Sequence, residues 1–291
     1  MRRIIEGDNL AVLRTLDGGA VNLIYIDPPF NTGREQRHTS VRTKRIERSN
    51  TDEGDRTGFG GRRYRTTELG SQAFADNFDD FLGFLEPRLI ECRRVLAEDG
   101  SLFLHLDPRE SHYAKVLLDS IFGRKSFLNE IVWAYDYGGR SKRRWPAKHD
   151  TILWYAKDPE QYTFDYDAID RIPYMAPGLV TPEKAERGKV PTDVWWQTVV
   201  PTSGTQRTGY PTQKPLAVLE RIIRVHSRPG DVVADFFAGS GTTGDAAARN
   251  GRDFLLVDNN PEAIDVMVSR LEEWHPDTVR VAPLAGESGA G

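Results

Sequence analysis

The chain has 291 residues, 38% of them hydrophobic and 28% charged, which is the balance of a globular protein with a substantial core. It has no run of 18 apolar residues and no signal-peptide pattern at its start, so a cytoplasmic protein without a membrane span is expected. The single cysteine, Cys92, excludes an internal disulfide and a cysteine zinc cluster, and its apolar helical surroundings predict a core position.

The first predicted elements are a short strand, a helix and a second strand. The first strand covers Arg3–Glu6, and the helix runs to Leu16 with Asp8 as a candidate N-cap. The apolar run Val21–Ile26 then predicts a buried strand. For Asp8, capping the helix and contacting a ligand are equally good uses.

Four residues follow this strand: Asp27, Pro28, Pro29 and Phe30. Prolines have no backbone N–H and a fixed φ, so the strand must end there and its carbonyls turn outward. A carboxylate, a proline carbonyl and an aromatic ring are then placed at the C-terminal end of a strand, where ligands bind in open α/β sheets. Two acceptors in one plane can hold an exocyclic amino group, and a ring can stack on the heterocycle that carries it. A simple strand terminator is the alternative.

Residues 31–70 differ in character from the segments around them. They contain many Arg, Gly, Thr and Ser residues and almost no aliphatic ones, which predicts a long functional or disordered loop. Basic residues such as Arg34, Arg37 and Arg42 could contact phosphates as a flap tethered to Phe30, with a solvated loop as the alternative. The formal net charge of -4 argues weakly against a nucleic-acid partner, but the distribution of charge matters more than its sum.

The middle of the chain alternates helices and strands before a second basic segment. The predicted elements are a helix over Phe78–Leu96, a strand over Ser101–Leu106, a helix over Arg109–Phe122 and strands over Asn129–Tyr135 and Thr151–Tyr155. The loop between the last two strands contains Arg140, Lys142, Arg143, Arg144 and Trp145. Such a loop suits nucleic acid, although an ordinary charged hairpin is equally consistent. Residues 158–210 are rich in Pro, Tyr, Asp and Trp and, with this loop, are expected to dock on the substrate.

The last part of the chain predicts a β-α-β unit with a glycine-rich turn. Its elements are a helix over Pro215–Val225, a strand over Val232–Phe236, a turn over Phe237–Gly244 that opens a helix of alanines, a strand over Phe254–Val257 and a helix over Glu262–Trp274. Glycines let the turn pack closely on a ligand. Asp258, at the end of the second strand, can accept hydrogen bonds from two ribose hydroxyls.

The glycines of this turn allow two other interpretations. Gly239, Gly241 and Gly244 match G-x-G-x-x-G, so a dinucleotide dehydrogenase is a rival. Asp235 opposes it, because a carboxylate at the strand end would repel a pyrophosphate but could receive an ammonium group. The segment at Asp27 also has no role in hydride transfer. A tight turn without a ligand is the remaining alternative.

Three segments resemble known motifs. Asp27-Pro28-Pro29-Phe30 resembles the catalytic motif of amino methyltransferases, which methylate adenine N6 or cytosine N4. Asp235–Gly241 resembles the S-adenosylmethionine loop of methyltransferases, and Tyr210–Pro215 is similar to the segment that precedes this loop in permuted DNA amino methyltransferases. The order of the three motifs resembles the beta class of N6-adenine and N4-cytosine DNA methyltransferases.

This resemblance implies an α/β fold with a seven-stranded, mostly parallel, Rossmann-like methyltransferase sheet. It further implies one antiparallel strand, helices on both faces, a circularly permuted motif order and an inserted target-recognition region. The strand at Val232 would lie beside the strand at Val21. The implied parts are a catalytic half at 1–135 with a flexible basic loop at 31–70, a target-recognition region at 136–210 with one core strand, a cofactor-binding half at 211–276 and a tail at 277–291. The resemblance is weak or absent over 31–70 and 158–210.

The resemblance also implies the site residues. The catalytic candidates are Asp27, Pro28, Pro29 and Phe30. The cofactor-binding candidates are Asp8, Asp27, Gln213, Lys214, Asp235, Phe237, Gly239, Ser240, Gly241, Thr242, Asp258 and Asn259. The DNA-binding candidates are Arg34, Arg37, Arg42, Arg140, Lys142, Arg143 and Arg144. Lys214 would meet the carboxylate of the cofactor as a charged donor.

The implied activity is methyl transfer from S-adenosyl-L-methionine to the N6 of a flipped adenine in double-stranded DNA, without a metal. By resemblance, Asp at the first motif position leans towards adenine, whereas Ser is commoner in N4-cytosine enzymes, which remain an alternative. A non-catalytic relative and a protein or RNA methyltransferase are further alternatives. A cognate restriction endonuclease is a candidate partner, and a monomer or homodimer is expected.

Overall fold

The computed structural model describes residues 1–29, 80–136, 139, 141–200, 208, 210 and 213–280, and the strand backbone of 34–45, 56–57 and 63–76. The chain forms two compact units, residues 31–79 and the remainder. The strands are β1 (Arg2–Glu6), β2 (Val21–Ile26), β3 (Arg34–Arg45), β4 (Arg56–Thr57), β5 (Arg63–Asp76), β6 (Leu96–Leu106), β7 (Phe127–Ala134), β8 (His149–Ala156), β9 (Val194–Trp196), β10 (Val232–Asp235), β11 (Asp253–Asp258) and β12 (Asp277–Arg280). The helices are α1 (Asn9–Thr15), α2 (Phe81–Val95), α3 (Ser111–Phe122), α4 (Pro182–Arg187), α5 (Leu216–His226), α6 (Thr242–Arg249) and α7 (Pro261–Arg270).

The larger unit contains a nine-stranded sheet in the order β12-β1-β11-β10-β2-β6-β8-β7-β9. Strand β8 pairs antiparallel with β6 and β7, and the other neighbouring pairs are parallel. The prediction of a mostly parallel α/β sheet with one antiparallel strand is confirmed. The count of seven strands is wrong, because β9 and β12 extend the two edges. These edge strands have three and four residues, none of them buried, so burial leaves no periodic signal in their sequences.

Helices cover both faces of this sheet. Leu23 and Tyr25 of β2 belong to the same buried cluster as side chains of α5, α6 and α7. Ile24 and Ile26 point to the opposite face, since successive strand residues alternate, and they are also fully buried. On that face α2 packs on β6 and α3 on β8. Burial on both faces is the reason that β2 is apolar almost throughout.

Strand β10 lies directly beside β2, as the family resemblance implies. Val233 pairs with Leu23, and Ala234 with Ile24, in a parallel arrangement. Neighbouring parallel strands end at the same edge of a sheet. Asp27 and the glycine-rich turn therefore leave the sheet at adjacent positions, although Phe237, where the turn begins, lies 210 positions after Asp27.

Residues 31–79 form a unit with a three-stranded antiparallel sheet in the order β3-β5-β4. Arg34 pairs with Asp76, and Arg45 with Tyr64, at the two ends of the β3–β5 pairing. The prediction of a loop over 31–70 is wrong for these strands. Thr, Val, Tyr and Phe favour strands, but these segments are too polar to show the apolar alternation by which strands were predicted. The division of the larger unit at 135 and 210 stays a prediction.

The helices lie close to their predicted positions. Helix α2 continues through Pro87, and α3 begins at Ser111 rather than at Arg109. Cys92 is 1% exposed in α2, as expected of a core residue, and burial raises the pKa of its thiol.

Within the described ranges, no helix is both long and apolar enough to cross a membrane, and no group of His, Cys, Asp and Glu is arranged to hold a metal ion.

A buried histidine lies at the end of α5. His226 is 6% exposed, and its ring packs against Phe103, Trp154 and Phe164 with centroid distances of 4.8, 4.3 and 5.3 Å. Burial among these rings lowers the pKa of the His226 imidazole from 6.5 to about 3. The folded protein therefore holds this side chain neutral.

We expect His226 to make the protein less stable in mild acid. Below about pH 6.5 the unfolded chain binds a proton at this histidine, whereas the folded chain does so only near pH 3. The free energy of unfolding therefore falls as the pH decreases from about 6.5 towards 3. Urea unfolding between pH 7 and pH 5 measures this slope, which should be shallower in His226→Phe. Identical slopes in the wild type and the variant would contradict the prediction.

Candidate functional site

The carboxylate of Asp27 lies at the end of β2 with its two oxygens in different surroundings. Its Oδ2 accepts a hydrogen bond from the ammonium group of Lys214, and the two groups form an ion pair. Its Oδ1 is buried and has no hydrogen-bond partner in the part of the chain that the structure describes. A buried acceptor without a donor costs about 1–3 kcal/mol, so this oxygen is a candidate to receive a ligand N–H. Pro28 and Pro29 follow directly, while Phe30 lies outside the described residues.

The carboxylate of Asp235 ties the glycine-rich turn to helix α6. Its Oδ1 accepts the Phe237 N–H at 3.0 Å, and its Oδ2 accepts the Thr243 hydroxyl at 2.6 Å. Burial raises the pKa of Asp235 to about 7, and the charges of Asp27 and Asp258 act in the same direction. Asp235 is thus only partly ionised near neutral pH, and a cation bound beside it would release a proton. The contact of Asp235 with an ammonium group stays a prediction.

Two glycines make the turn compact. Gly239 and Gly241 have φ values of 49° and 73°, in the left-handed region that favours glycine. A Cβ on Gly239 would lie 3.2 Å from the ring of Tyr210, and one on Gly241 would lie 2.8 Å from Cγ of Met267. The turn therefore has Tyr210 against one side and helix α7 against the other.

We expect Gly241→Ala to destabilise the protein more than Gly230→Ala does. Each change places a side chain at positive φ, which costs about 1–3 kcal/mol. Only the first adds an overlap with Met267, because a Cβ on Gly230, at φ 89°, would meet nothing within 4 Å. Urea unfolding of the two variants measures the difference. Equal losses of stability would show that the contact with Met267 does not constrain the turn.

Asp258 ends β11 and supports the same turn. Its Oδ2 accepts the Gly239 N–H at 2.8 Å, and its Oδ1 accepts the Asn260 N–H at 2.9 Å. Burial raises the pKa of Asp258, and these backbone donors oppose the rise. Each carboxylate oxygen has two lone pairs, so acceptor capacity remains for ribose hydroxyls. Asn259 is exposed beside it.

Asp8 caps helix α1, which is one of the two roles that the sequence allows. Its Oδ1 accepts the Ala11 N–H at 2.9 Å, and its Oδ2 accepts from Arg88 at 3.2 Å. Arg88 also donates to Oδ1 of Asn9 at 2.6 Å, and Nδ2 of Asn9 donates to the Phe236 carbonyl at 2.8 Å. Sequence reasoning missed Asn9 and Arg88, because Asn9 lies 79 positions from Arg88 and 227 from Phe236, and no local pattern marks such contacts.

The remaining cofactor-binding candidates have local contacts. Oε1 of Gln213 accepts hydrogen bonds from the backbone N–H and the hydroxyl of Thr208, at 2.9 and 3.0 Å. The hydroxyls of Ser240 and Thr242 share a hydrogen bond of 3.1 Å. The ring of Phe237 lies 6.1 Å from that of Phe84. Phe237, Ser240 and Thr242 follow the end of β10, and the contacts of all four residues with a cofactor stay predictions.

The predicted DNA-binding residues fall into two groups. Exposed side chains follow β7, at Lys142, Arg143 and Arg144. The neighbouring Trp145 is 94% exposed, as a residue that stacks on a partner requires. The side chains of Arg34, Arg37, Arg42 and Arg140 lie outside the described residues, although the first three belong to β3. The DNA-binding assignment stays a prediction for both groups.

Comparison with known proteins identifies the family. A family model described as DNA methylase matches residues 21–269. DNA adenine methyltransferase YhdJ of Escherichia coli (strain K12) is 32% identical over 279 residues, which cover 93% of this chain and 83% of that protein. Two solved structures share the fold. The M1.HpyAVI-SAM complex has 20% identity, a TM-score of 0.59 and coverage of 93% of this chain and 99% of that one. The cytosine-N4-specific PvuII DNA methyltransferase has 14% identity, a TM-score of 0.62 and coverage of 96% and 95%. The chain therefore belongs to the DNA methylase family of N6-adenine and N4-cytosine methyltransferases.

Proposed function

We propose that this chain transfers a methyl group from S-adenosyl-L-methionine to the exocyclic N6 of an adenine that is flipped out of double-stranded DNA. The observation that carries the proposal is the buried, unpartnered Oδ1 of Asp27, one strand away from the glycine-rich turn after β10. Such an acceptor suits an amino group, and a glycine turn at a strand end suits a nucleotide-like ligand.

The residues of the turn fit this cofactor. Gly239 and Gly241 supply the left-handed backbone of a tight turn against which Tyr210 and Met267 pack. Asp258 is proposed to accept from the ribose hydroxyls, and Asp235 to face the ammonium group of the methionine part. When bound, S-adenosyl-L-methionine supplies an electrophilic methyl group. The related M1.HpyAVI was solved as a complex with it, which supports the assignment.

Lys214 is proposed to link the two halves of the site. Its ammonium group has three N–H donors, so it can keep its ion pair with Asp27 and also donate to the carboxylate of the cofactor. The side chain is 11% exposed, so solvent screens these interactions little. Lys214 would then fix the position of the cofactor relative to the carboxylate of Asp27.

The target amine is proposed to donate to Oδ1 of Asp27 and to the carbonyl of Pro28. These acceptors draw the lone pair of the exocyclic nitrogen out of the ring system, so the nitrogen becomes a better nucleophile. In duplex DNA the amine is engaged in a base pair, so the base has to leave the stack. Phe30 is proposed to stack on the extruded base. Catalysis would then depend on positioning and directed hydrogen bonds, without a covalent enzyme nucleophile.

Adenine is the proposed target for two reasons. The motif that begins at Asp27 leans towards N6 by resemblance, and the relative YhdJ is named a DNA adenine methyltransferase. The N4 of cytosine is the second candidate, since the family includes both activities and the PvuII enzyme is cytosine-N4-specific.

The motif order and the basic segments complete the proposal. A base-binding segment that precedes the cofactor segment is proposed to place the chain in the permuted beta class. The exposed cations Lys142, Arg143 and Arg144 are proposed to contact DNA phosphates. A cognate restriction endonuclease stays a candidate partner, and a monomer or homodimer stays the expected state.

A product analysis tests this function. The protein is incubated with methyl-labelled cofactor and duplex DNA, and the DNA is digested to nucleosides and separated. Label in N6-methyladenine is the expected result. Label in N4-methylcytosine would transfer the proposal to the second candidate. Unlabelled DNA, with protein that binds the cofactor, would contradict both.

A further inference from the structure

A chain of buried polar side chains crosses the sheet near the edge where Asp27 lies. The hydroxyl of Tyr25 on β2, 1% exposed, is 2.5 Å from Nδ1 of His105 on β6. His105 is fully buried, and its Nε2 lies 3.2 Å from Oδ2 of Asp150 on β8. The other oxygen of Asp150 accepts the Tyr135 hydroxyl at 2.9 Å. This polar chain joins four neighbouring parts of the sheet, and sequence analysis assigned none of its members.

The chemistry of Tyr25 and Asp150 restricts how these hydrogen bonds can form. Burial, with the charge of Asp27, raises the pKa of Tyr25 well above its ordinary value, so its hydroxyl keeps the proton. Burial opposes ionisation of Asp150, but the hydrogen bond from His105 and the charges of His105 and Lys214 lower its pKa, so it stays an acceptor. Nε2 of His105 therefore donates to Asp150, and Nδ1 and the Tyr25 hydroxyl share the other hydrogen bond.

Two connections link this polar chain to the catalytic carboxylate. Tyr25 lies two residues before Asp27, so anchoring its ring restrains the end of β2. The charge of Lys214, the ion-pair partner of Asp27, also lowers the pKa of Asp150. The backbone of β2 is thus the direct link from the polar chain to Asp27, and the charge of Lys214 is an electrostatic link.

We propose that Tyr25, His105 and Asp150 are positioning residues for methyl transfer, whose hydrogen bonds orient Asp27 so that its unpartnered oxygen faces the substrate amine. They act through Asp27 and do not contact the substrate. The inference rests on the proposed function. A purely structural role is the alternative, and it would require only that these buried groups satisfy one another.

The chain offers a matched control for this test. Tyr155 on β8 is also fully buried, and its hydroxyl donates to Oδ1 of Asp119 at 2.7 Å and to the Lys115 carbonyl at 3.1 Å. It faces α3, on the side of the sheet opposite to Tyr25. Tyr25→Phe and Tyr155→Phe each remove one buried hydroxyl, so their structural costs are comparable while only the first lies beside Asp27.

Single-turnover methylation at saturating DNA and cofactor gives the decisive rate. Tyr25→Phe is expected to lower this rate by about 10- to 100-fold, because a small misplacement of a catalytic group has an effect of that size. Its cofactor affinity should match that of the wild type, and Tyr155→Phe should keep the wild-type rate. Asp150→Asn should slow the reaction similarly. The double variant of Tyr25 and Asp150 should be no slower than the worse single one, since both changes break the same polar chain.

Two results would overturn the inference. One is that Tyr25→Phe and Tyr155→Phe methylate at the same rate per mole of cofactor-binding protein. The other is that the fold-loss of rate in the double variant equals the product of the fold-losses in the two single variants. Asp150→Asn retains the shape of the side chain and supplies the same comparison if Tyr25→Phe does not fold. A wild type that methylates no DNA would instead refute the proposed function, so the two failures are distinguishable.

Discussion

Asp27→Ala is expected to lower the rate of methyl transfer by about 100- to 1000-fold, the range seen when one preorganised hydrogen-bonding group is lost from an active site. The variant loses the unpartnered Oδ1 that is proposed to receive the target amine, and with it the polarisation of the nitrogen. Cofactor affinity, measured by isothermal titration calorimetry, should change far less. The proposed contacts of the cofactor with Asp258 and Lys214 remain in place.

Asp119→Ala is the matched control for this change. Asp119 is 10% exposed, compared with 17% for Asp27, and each carboxylate pairs with a lysine. Asp119 lies on α3 and accepts from Lys115 at 2.8 Å, away from the proposed site. Its loss should affect stability and leave the rate per folded molecule unchanged. Normal turnover by Asp27→Ala would refute the catalytic assignment.

Lys214→Met should weaken cofactor binding by about 10- to 100-fold. A hydrogen bond to a charged group contributes about 1.5–3 kcal/mol, and about 1.4 kcal/mol corresponds to a tenfold change in affinity. The methionine side chain preserves most of the volume of the buried stem. Titration with S-adenosyl-L-methionine in the absence of DNA isolates this step from catalysis.

Lys157→Met controls for the loss of a largely buried lysine. Lys157 is 15% exposed, pairs with Glu98 at 2.9 Å and donates to the Leu96 carbonyl at 2.6 Å. This lysine follows β8, which runs antiparallel to β6, so it lies at the opposite end of the strands from Asp27. Its replacement should leave cofactor affinity at the wild-type value. Equal affinity losses in the two variants would show that the effect of Lys214 is structural.

Local rules predicted the segments at Asp27 and at the glycine turn, and the family resemblance predicted that their strands are neighbours. Proline after an apolar run ends a strand, and glycines after another open a helix. Parallel α/β topology then restricts where the two strand ends can lie. The pairing of Val233 with Leu23 confirms this prediction. The short edge strands β9 and β12 were not predicted, because they contain no buried side chain that would produce an apolar pattern.

The wrong prediction over 31–70 has a related physical cause. Strands β3 and β5 pair over most of their lengths, from Arg34 with Asp76 to Arg45 with Tyr64. Backbone hydrogen bonds between antiparallel strands form with almost any side chain, so regular pairing does not require an apolar periodicity. Because β3 and β5 lack an apolar periodicity, their sequences predict a loop although their backbones pair as strands.

By itself, the sequence determined the α/β class, the apolar strands and the two chemical segments at their ends. These features depend on residues next to one another in the chain: proline and glycine restrict the local backbone, and alternating burial marks the strands. Only the tertiary structure decided which side chains act together, as in the ion pair of Lys214 with Asp27 and the hydrogen bonds of His105. Their partners are 45 to 187 positions apart. Contacts at such separations follow from how the whole sheet is assembled, and no local pattern of residue types records them.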